Sequence, residues 1–248
     1  MTDVRGRVRW LLGDVDGELP PENAREARAA EPELLGLARA GDPVAQTLAG
    51  VIALVVRHRP KRARRWFEAA AAQGEPAARR SLGYLYSRGL GVRRDLARAW
   101  ELSRAAADAG DHHAMFNLAA INTAADGRYA TFEETLGFLE APVRAGLPAA
   151  MVLRADLLAR VDRDAEAVDL YRRAAELGHT GAMHALGAWA RDGIAGPPDH
   201  TEAAHWFLRQ AAGGDPAGRK RADELFRSMS PNEIAEARRR AGRVSRPG

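Results

Sequence analysis

The sequence predicts an all-α fold, a right-handed α-solenoid of stacked helix hairpins, and two observations carry that reading. The first is recurrence. The phrase "RRWFEAAAAQGEPAARRSLGYLYSRGLGV" at 64–92 returns as "HWFLRQAAGGDPAG" from 205 and as "LYRRAAELGHTGAMHALGAW" from 170. Counted on the glycine that closes each phrase, the anchors are Gly41, Gly74, Gly110, Gly146, Gly178 and Gly214, spaced 33, 36, 36, 32 and 36 residues apart. A near-constant period in the thirties is that of an array of helical pairs, each needing a neighbour to bury its apolar face.

The second observation is an alternation of side-chain size in the same register. Four residues past the anchors stand Ala45, Ala78, Ala114, Ala150, Ala182 and Gly218; nine past stand Gly50, Gly83, Ala119, Ala155 and Gly187, with Asp223 the exception. Eight before the later anchors stand Trp66, Leu102, Phe138, Leu170 and Trp206. Small side chains let two helix axes approach, and a large one from the partner helix fills the hollow that remains. The aromatics are therefore expected to be packing wedges. Within the first helix of each pair Ala114, Met115, Leu118 and Ile121 show helical spacing along one face. Met115, Met151 and Met183 read as part of that core stripe, and no cofactor is expected.

The junctions between pairs follow capping chemistry. "GDP" at 41–43 and 214–216 and "GEP" at 74–76 place a left-handed glycine at one helix end, an acidic cap next, and proline in the first turn of the following helix. Within pairs the turns vary, long at 87–95 and 191–202, short at 57–60 and 160–164. Thr131 with Glu134 and Ser230 with Glu233 form capping boxes, the second opening a last helix. The expected organisation is a segment 1–20 outside the repeats, capping helices at 21–40, the solenoid at 41–229, and a capping helix and tail at 230–248.

Residues 77–114, "AARRSLGYLYSRGLGVRRDLARAWELSRAAADAGDHHA", resemble a Sel1-like repeat, with its small-Leu-Gly-x-x-Tyr phrase, Gly-x-Gly-Val hairpin, Asp cap and paired alanines. The resemblance returns over 182–217. The units starting at Gly41 and Gly146, with short hairpins, look more like tetratricopeptide repeats, and in the unit of Gly110 Pro142 and Val143 replace the paired alanines. The resemblance implies an α-solenoid and an adaptor or scaffold role in signalling or complex assembly.

Of chemistry the sequence offers little. There is no cysteine among the 248 residues, hence no thiolate nucleophile and no Cys-ligated zinc. His179 with His184 and His200 with His205 are five apart, so neither pair shares a helix face; no metal site is expected. "GLGVRRD" at 89–95 lacks the third glycine and the preceding strand of a phosphate loop and reads as a hairpin turn. No Gly-x-Ser-x-Gly elbow occurs, and Ser81, Ser87 and Ser103 have no base placed beside them in sequence. The chain is read as no enzyme, with a hydrolase of unknown substrate kept as an alternative. Trp10, Leu11 and Leu12 are the only bulky apolar run near the start, and "LAGVIALVV" at 48–56 is too short for a bilayer span, so no membrane association and a cytoplasmic setting are expected.

The net charge of +4 reflects an arginine-rich composition with only two lysines. The run "RHRPKRARR" at 57–65 concentrates Arg57, Arg59, Lys61, Arg62, Arg64 and Arg65 at the first hairpin tip. A nucleic-acid-linked regulator using this run is the first alternative, ahead of the hydrolase, but no aromatic is interleaved for base stacking, and a solvated tip is favoured. Solenoids present the first helix of each pair on a concave surface. The offsets then place Arg80, Tyr84, Ser87, Arg88, Phe116, Asp156, Arg160, His184 and Arg191 in a partner-binding groove. Arginine forks suit carboxylates, so a protein or peptide partner of acidic character is expected, with ion pairing to neighbouring repeats as the competing role of the same side chains.

Overall fold

The computed structural model describes residues 3–6, 8 and 21–242, and among them there are helices and turns but no strand. Most of the segment 1–20 and the tail beyond 242 lie outside the described residues. The chain divides into two compact units, residues 1–138 and 139–248.

The first unit holds α1 (Pro21–Arg39), α2 (Pro43–Val51), α3 (Pro60–Ala72), α4 (Pro76–Arg88), α5 (Leu96–Ala107), α6 (His112–Ala124) and α7 (Phe132–Phe138). The second holds α8 (Glu140–Arg144), α9 (Pro148–Ala159), α10 (Asp164–Glu176), α11 (Thr180–Asp192), α12 (His200–Ala212), α13 (Ala217–Phe226) and α14 (Pro231–Gly242). Within each unit successive helices pack on one another, as in α4 on α5 and α11 on α12, except that the last, α14, packs back on α12. This is the all-α solenoid architecture of stacked hairpins.

All six anchor glycines adopt the left-handed conformation, with φ from 82° at Gly146 to 100° at Gly214. A side chain there would strain the backbone, which is why the period is marked by glycine. The residue after the anchor caps the next helix in three cases: Asp42 accepts from the Ala45 amide, Asp111 from Ala114 and His179 Nδ1 from Ala182, while Asp215, one step ahead of its helix cap, accepts from the Ala217 amide. Glu75 occupies the same position but makes no side-chain cap, a correction to the acidic cap expected at "GEP". Its extra methylene carries the carboxylate past the amides that aspartate reaches. Pro216 stands at the cap of α13, one step before the first-turn position expected for it. Both capping boxes form, with Glu134 and Glu233 each accepting from the backbone amide and hydroxyl of their partners.

The core corrects the packing register by one residue. A Cβ on Gly50 would collide with the Phe67 ring, and one on Gly187 would stand 2.6 Å from Phe207. The residue that fills the hollow thus lies seven, not eight, before the anchor, and Phe67 and Phe207 are fully buried. Trp66 instead packs sideways into the preceding cluster of Leu34, Leu48 and Ile52, and Leu102 into that of Phe67, Leu82 and Leu85. At Gly83 the filling residue is the small Ser103, whose Oγ lies 2.7 Å from where a Cβ would be.

The last pair of the first unit departs from its neighbours. After α6, a loop turns back through Asp126 (φ 53°) and Gly127 (φ 77°) and is held by buried Asn122. Asn122 Oδ1 accepts from the amides of Tyr129 and Ala130, and its Nδ2 donates to the Ala130 carbonyl and to Thr135 Oγ1. Tyr129 then stacks on Trp100, ring centroids 5.1 Å apart. At the start of the described chain, buried Val4 and Val8 join the cluster of α1 and α2, and Arg5 pairs with Asp42 at 2.6 Å.

Candidate functional site

The first-helix faces singled out by the repeat arithmetic fall on α4 and α6 in the first unit and on α9 and α11 in the second. Each unit places its own set, and ion pairing has claimed several members.

On α4, Arg80 is only partly exposed and reaches across to Asp111, Nε to Oδ2 3.1 Å, a close ion pair without hydrogen-bond alignment. Asp111 is the cap of α6, so one carboxylate fastens two helices. Ser87 Oγ donates to the Tyr84 carbonyl, 2.9 Å, and is spent locally. Tyr84, 41% exposed, projects outward with the Arg88 guanidinium over its ring at 5.9 Å. The pair sits one helical turn apart, where a flat ring and a forked cation support one another. Phe116 on α6 is half-buried.

In the second unit Asp156 accepts from Tyr171 Oη at 2.5 Å, and Tyr171 meets Trp189 edge-on at 5.4 Å. Although one edge of Asp156 stays open, protein crowding about its carboxyl raises its pKa, partly offset by the hydrogen bond from Tyr171. Burial, and then the bond to Asp156, push the Tyr171 phenol up. Arg160 is exposed at the end of α9, and Arg191 is bidentate with the adjacent Asp192 at 2.7 and 2.8 Å. His184 lies against Phe207, its Nδ1 enclosed and unpartnered; burial, then the Arg221 charge, hold its pKa below the usual imidazole value. Sequence reasoning missed Tyr171, whose phenol ties α10 to α9, and His179 as a cap. The first was hidden as a packing position; the second stands where its counterparts are Asp.

The basic run resolves in the same way. Arg57 donates twice to nearly buried Glu31, closing α2 onto α1, and Arg64 leans toward Glu68 at 3.5 Å. Arg59, Lys61, Arg62 and Arg65 carry no acidic partner among the described residues.

Among the described residues no group of three His, Cys, Asp or Glu side chains could hold a metal, and no helix is long and apolar enough to cross a membrane. His184 and His205 both have lowered pKa values, burial first, and both lie tilted against aromatic rings with no carboxylate hydrogen-bonded to the imidazole.

The fold and these faces define a helical-repeat solenoid. The Sel1 repeat model matches residues 59–75, 76–111, 158–179 and 180–215, so the chain carries four Sel1 repeats. Proteins of this kind generally serve as protein–protein interaction scaffolds. The two fully matched segments are those whose hairpins turn on Gly89 and Gly193; the unmatched stretch 112–157 contains the Asn122 loop. Among solved structures the chain is similar to a protective antigen of uropathogenic Escherichia coli with an SLR fold, at 22% identity and TM-score 0.74, over 87% of this chain and 48% of that one. The chain therefore spans about half the length of that antigen. It is also similar to a Sel1 repeat protein from Oxalobacter formigenes, at 21% identity and TM-score 0.67, over 90% of this chain and 96% of the other. No curated protein sequence matches it.

Proposed function

We propose that the chain is a non-catalytic cytoplasmic scaffold for signalling or complex assembly, and that a protein or peptide partner of acidic character docks on the α4 face carrying Tyr84 and Arg88. One observation carries the reading. Tyr84 is the one large aromatic left exposed among the described residues, and the cation above it has no acidic partner there. Tyrosine and arginine are the residue types most enriched among interface hot spots, and the arginine fork matches a carboxylate. Arg80, by contrast, is occupied by Asp111, so it belongs to the frame that positions the face.

The test is an array of acidic and free-carboxylate peptides probed with wild type and with the Tyr84→Ala/Arg88→Glu double variant. The reading expects a subset of peptides held by wild type and lost by the variant, whose melting temperature stays unchanged because exposed charges contribute about 0–1 kcal/mol to folding. Equal retention by both proteins contradicts it.

A further inference from the structure

Two hairpin tips of the first unit meet through backbone. Gly91 has φ 70°, and a Cβ on it would stand 2.8 Å from the Lys61 amide nitrogen and the Pro60 carbonyl carbon. The turn after α4 is therefore pressed against the start of α3. That contact brings Arg64 of α3 beside Arg93 and Arg94 of the next hairpin, and with Tyr86, Val92 and Asp95 they line an open cleft of about 440 Å³.

The charge in this cleft is unbalanced. Three arginines line it with one aspartate; Arg64 also leans toward Glu68 at 3.5 Å, which leaves Arg93 and Arg94 as the cations without an acidic partner, and Asp95 is already engaged as the cap of α5, accepting from the Arg98 amide at 2.9 Å. Arg94 is oriented by donating Nε–H to the Ser87 carbonyl at 3.1 Å, which fixes its guanidinium at the rim. Arg93 has no side-chain partner among the described residues. The abutting tip itself carries Arg59, Lys61 and Arg62, likewise without acidic partners among the described residues. Like charges held together cost free energy unless an anion joins them, and planar guanidinium forks bind tetrahedral oxyanions through paired hydrogen bonds. The volume is that of a small-molecule site, and a phenol beside the cations supplies a neutral donor.

We infer that this cleft is an anion site for a phosphoryl group, with Arg64, Arg93 and Arg94 as its cationic walls and Tyr86 as a hydroxyl donor. A phosphoryl group offers oxygens to both the Arg93 and the Arg94 fork, which a single carboxylate does not. The cleft lies about 200° around α4 from Tyr84, so it is separate from the docking face proposed above. The phosphoryl group can come from a free small molecule or from a phosphorylated side chain of a partner.

The experiment is calorimetric titration of the full chain at constant ionic strength with inorganic phosphate, pyrophosphate and a phosphoserine peptide, alongside a DNA duplex. Wild type is compared with Arg93→Gln, which removes an exposed unpartnered cation, and with Arg64→Gln/Arg93→Gln; circular dichroism checks folding. The site predicts saturable binding of at least one phosphoryl probe, weakened by at least about ten-fold in Arg93→Gln and further in the double variant. Tighter binding of pyrophosphate assigns the group to a free small molecule; tighter binding of the phosphopeptide assigns it to a modified partner. Absence of saturable binding by all three probes overturns the inference. So does unchanged affinity in folded Arg93→Gln, or a response confined to the duplex.

Discussion

The repeat at 76–111 and the one that follows it, 112–146, solve the same hairpin problem with different chemistry. In the first, glycine does the turning: Gly89 (φ 71°) ends α4, Gly91 (φ 70°) lies flat on the neighbouring tip, and Asp95 starts α5. In the second, Asp126 takes a left-handed conformation despite its side chain, and four hydrogen bonds from Asn122 hold the loop in place. Its second helix then splits into α7 and α8. The hairpins after α2 and α9 also put non-glycine residues, His58 and Asp162, at positive φ. Glycine makes a hairpin that a repeat motif can specify. The alternative depends on side chains particular to one place.

The largest effect expected from this contrast is at the small positions of the glycine-type repeats. Gly83→Leu would drive its side chain into Ser103 Oγ and the Ala99 carbonyl, 2.7 and 3.2 Å from the first added carbon, and should cost about 3 kcal/mol. Thermal melting that matched wild type would refute the packing register. Next is Asn122→Ala, which leaves the Tyr129 and Ala130 amides and the Ala130 carbonyl without their Asn122 partner, while the Thr135 hydroxyl keeps its bond to the Thr131 carbonyl. A loss of about 2 kcal/mol in chemical denaturation is expected, with the Trp100–Tyr129 stack released and visible in near-ultraviolet dichroism. If the stack survived, the loop would be held by something other than Asn122.

A smaller effect depends on pH. His179 caps α11 by accepting at Nδ1, which only the neutral ring can do, and burial lowers its pKa, opposed by the Asp156 charge. The folded state therefore binds fewer protons than the unfolded one, so this contribution is complete above about pH 6.5 and is lost as pH falls through the lowered value. His179→Asp, restoring the residue type used at Asp42 and Asp111, should flatten the melting temperature between pH 7.5 and 5 relative to wild type. An unchanged slope would remove His179 as its source. The smallest effect is a gain. Asp162→Gly relieves a left-handed aspartate at φ 58° and should stabilise by about 0.5 kcal/mol, whereas Gly91→Ala should destabilise.

Much of the frame could be read from the residues because it depends on local geometry. Every anchor glycine was recognisable, since a left-handed helix end has few other solutions, and Pro142 marked the pair whose second helix breaks. The packing register slipped by one because Trp66 and Phe67, and again Trp206 and Phe207, are adjacent and both large. Side-chain size alone does not say which of two neighbours 100° apart enters the hollow. The π-helical turn Ile52–Val56 sits in an apolar run with no local mark of its widened hydrogen bonding. At the proposed sites the difficulty was distance: Arg80 meets Asp111, and Arg64 comes to line one cleft with Arg93 and Arg94, only after the hairpins stack.

The division of labour on α4 is the central claim, and the most direct measurement compares Arg88→Glu with Arg80→Glu against one peptide selected from the array. Isothermal titration should show Arg88→Glu losing at least about ten-fold in affinity with its melting temperature unchanged, while Arg80→Glu melts lower because Asp111 then faces a like charge. Wild-type affinity in Arg88→Glu, or equal melting of the two variants, would contradict the account.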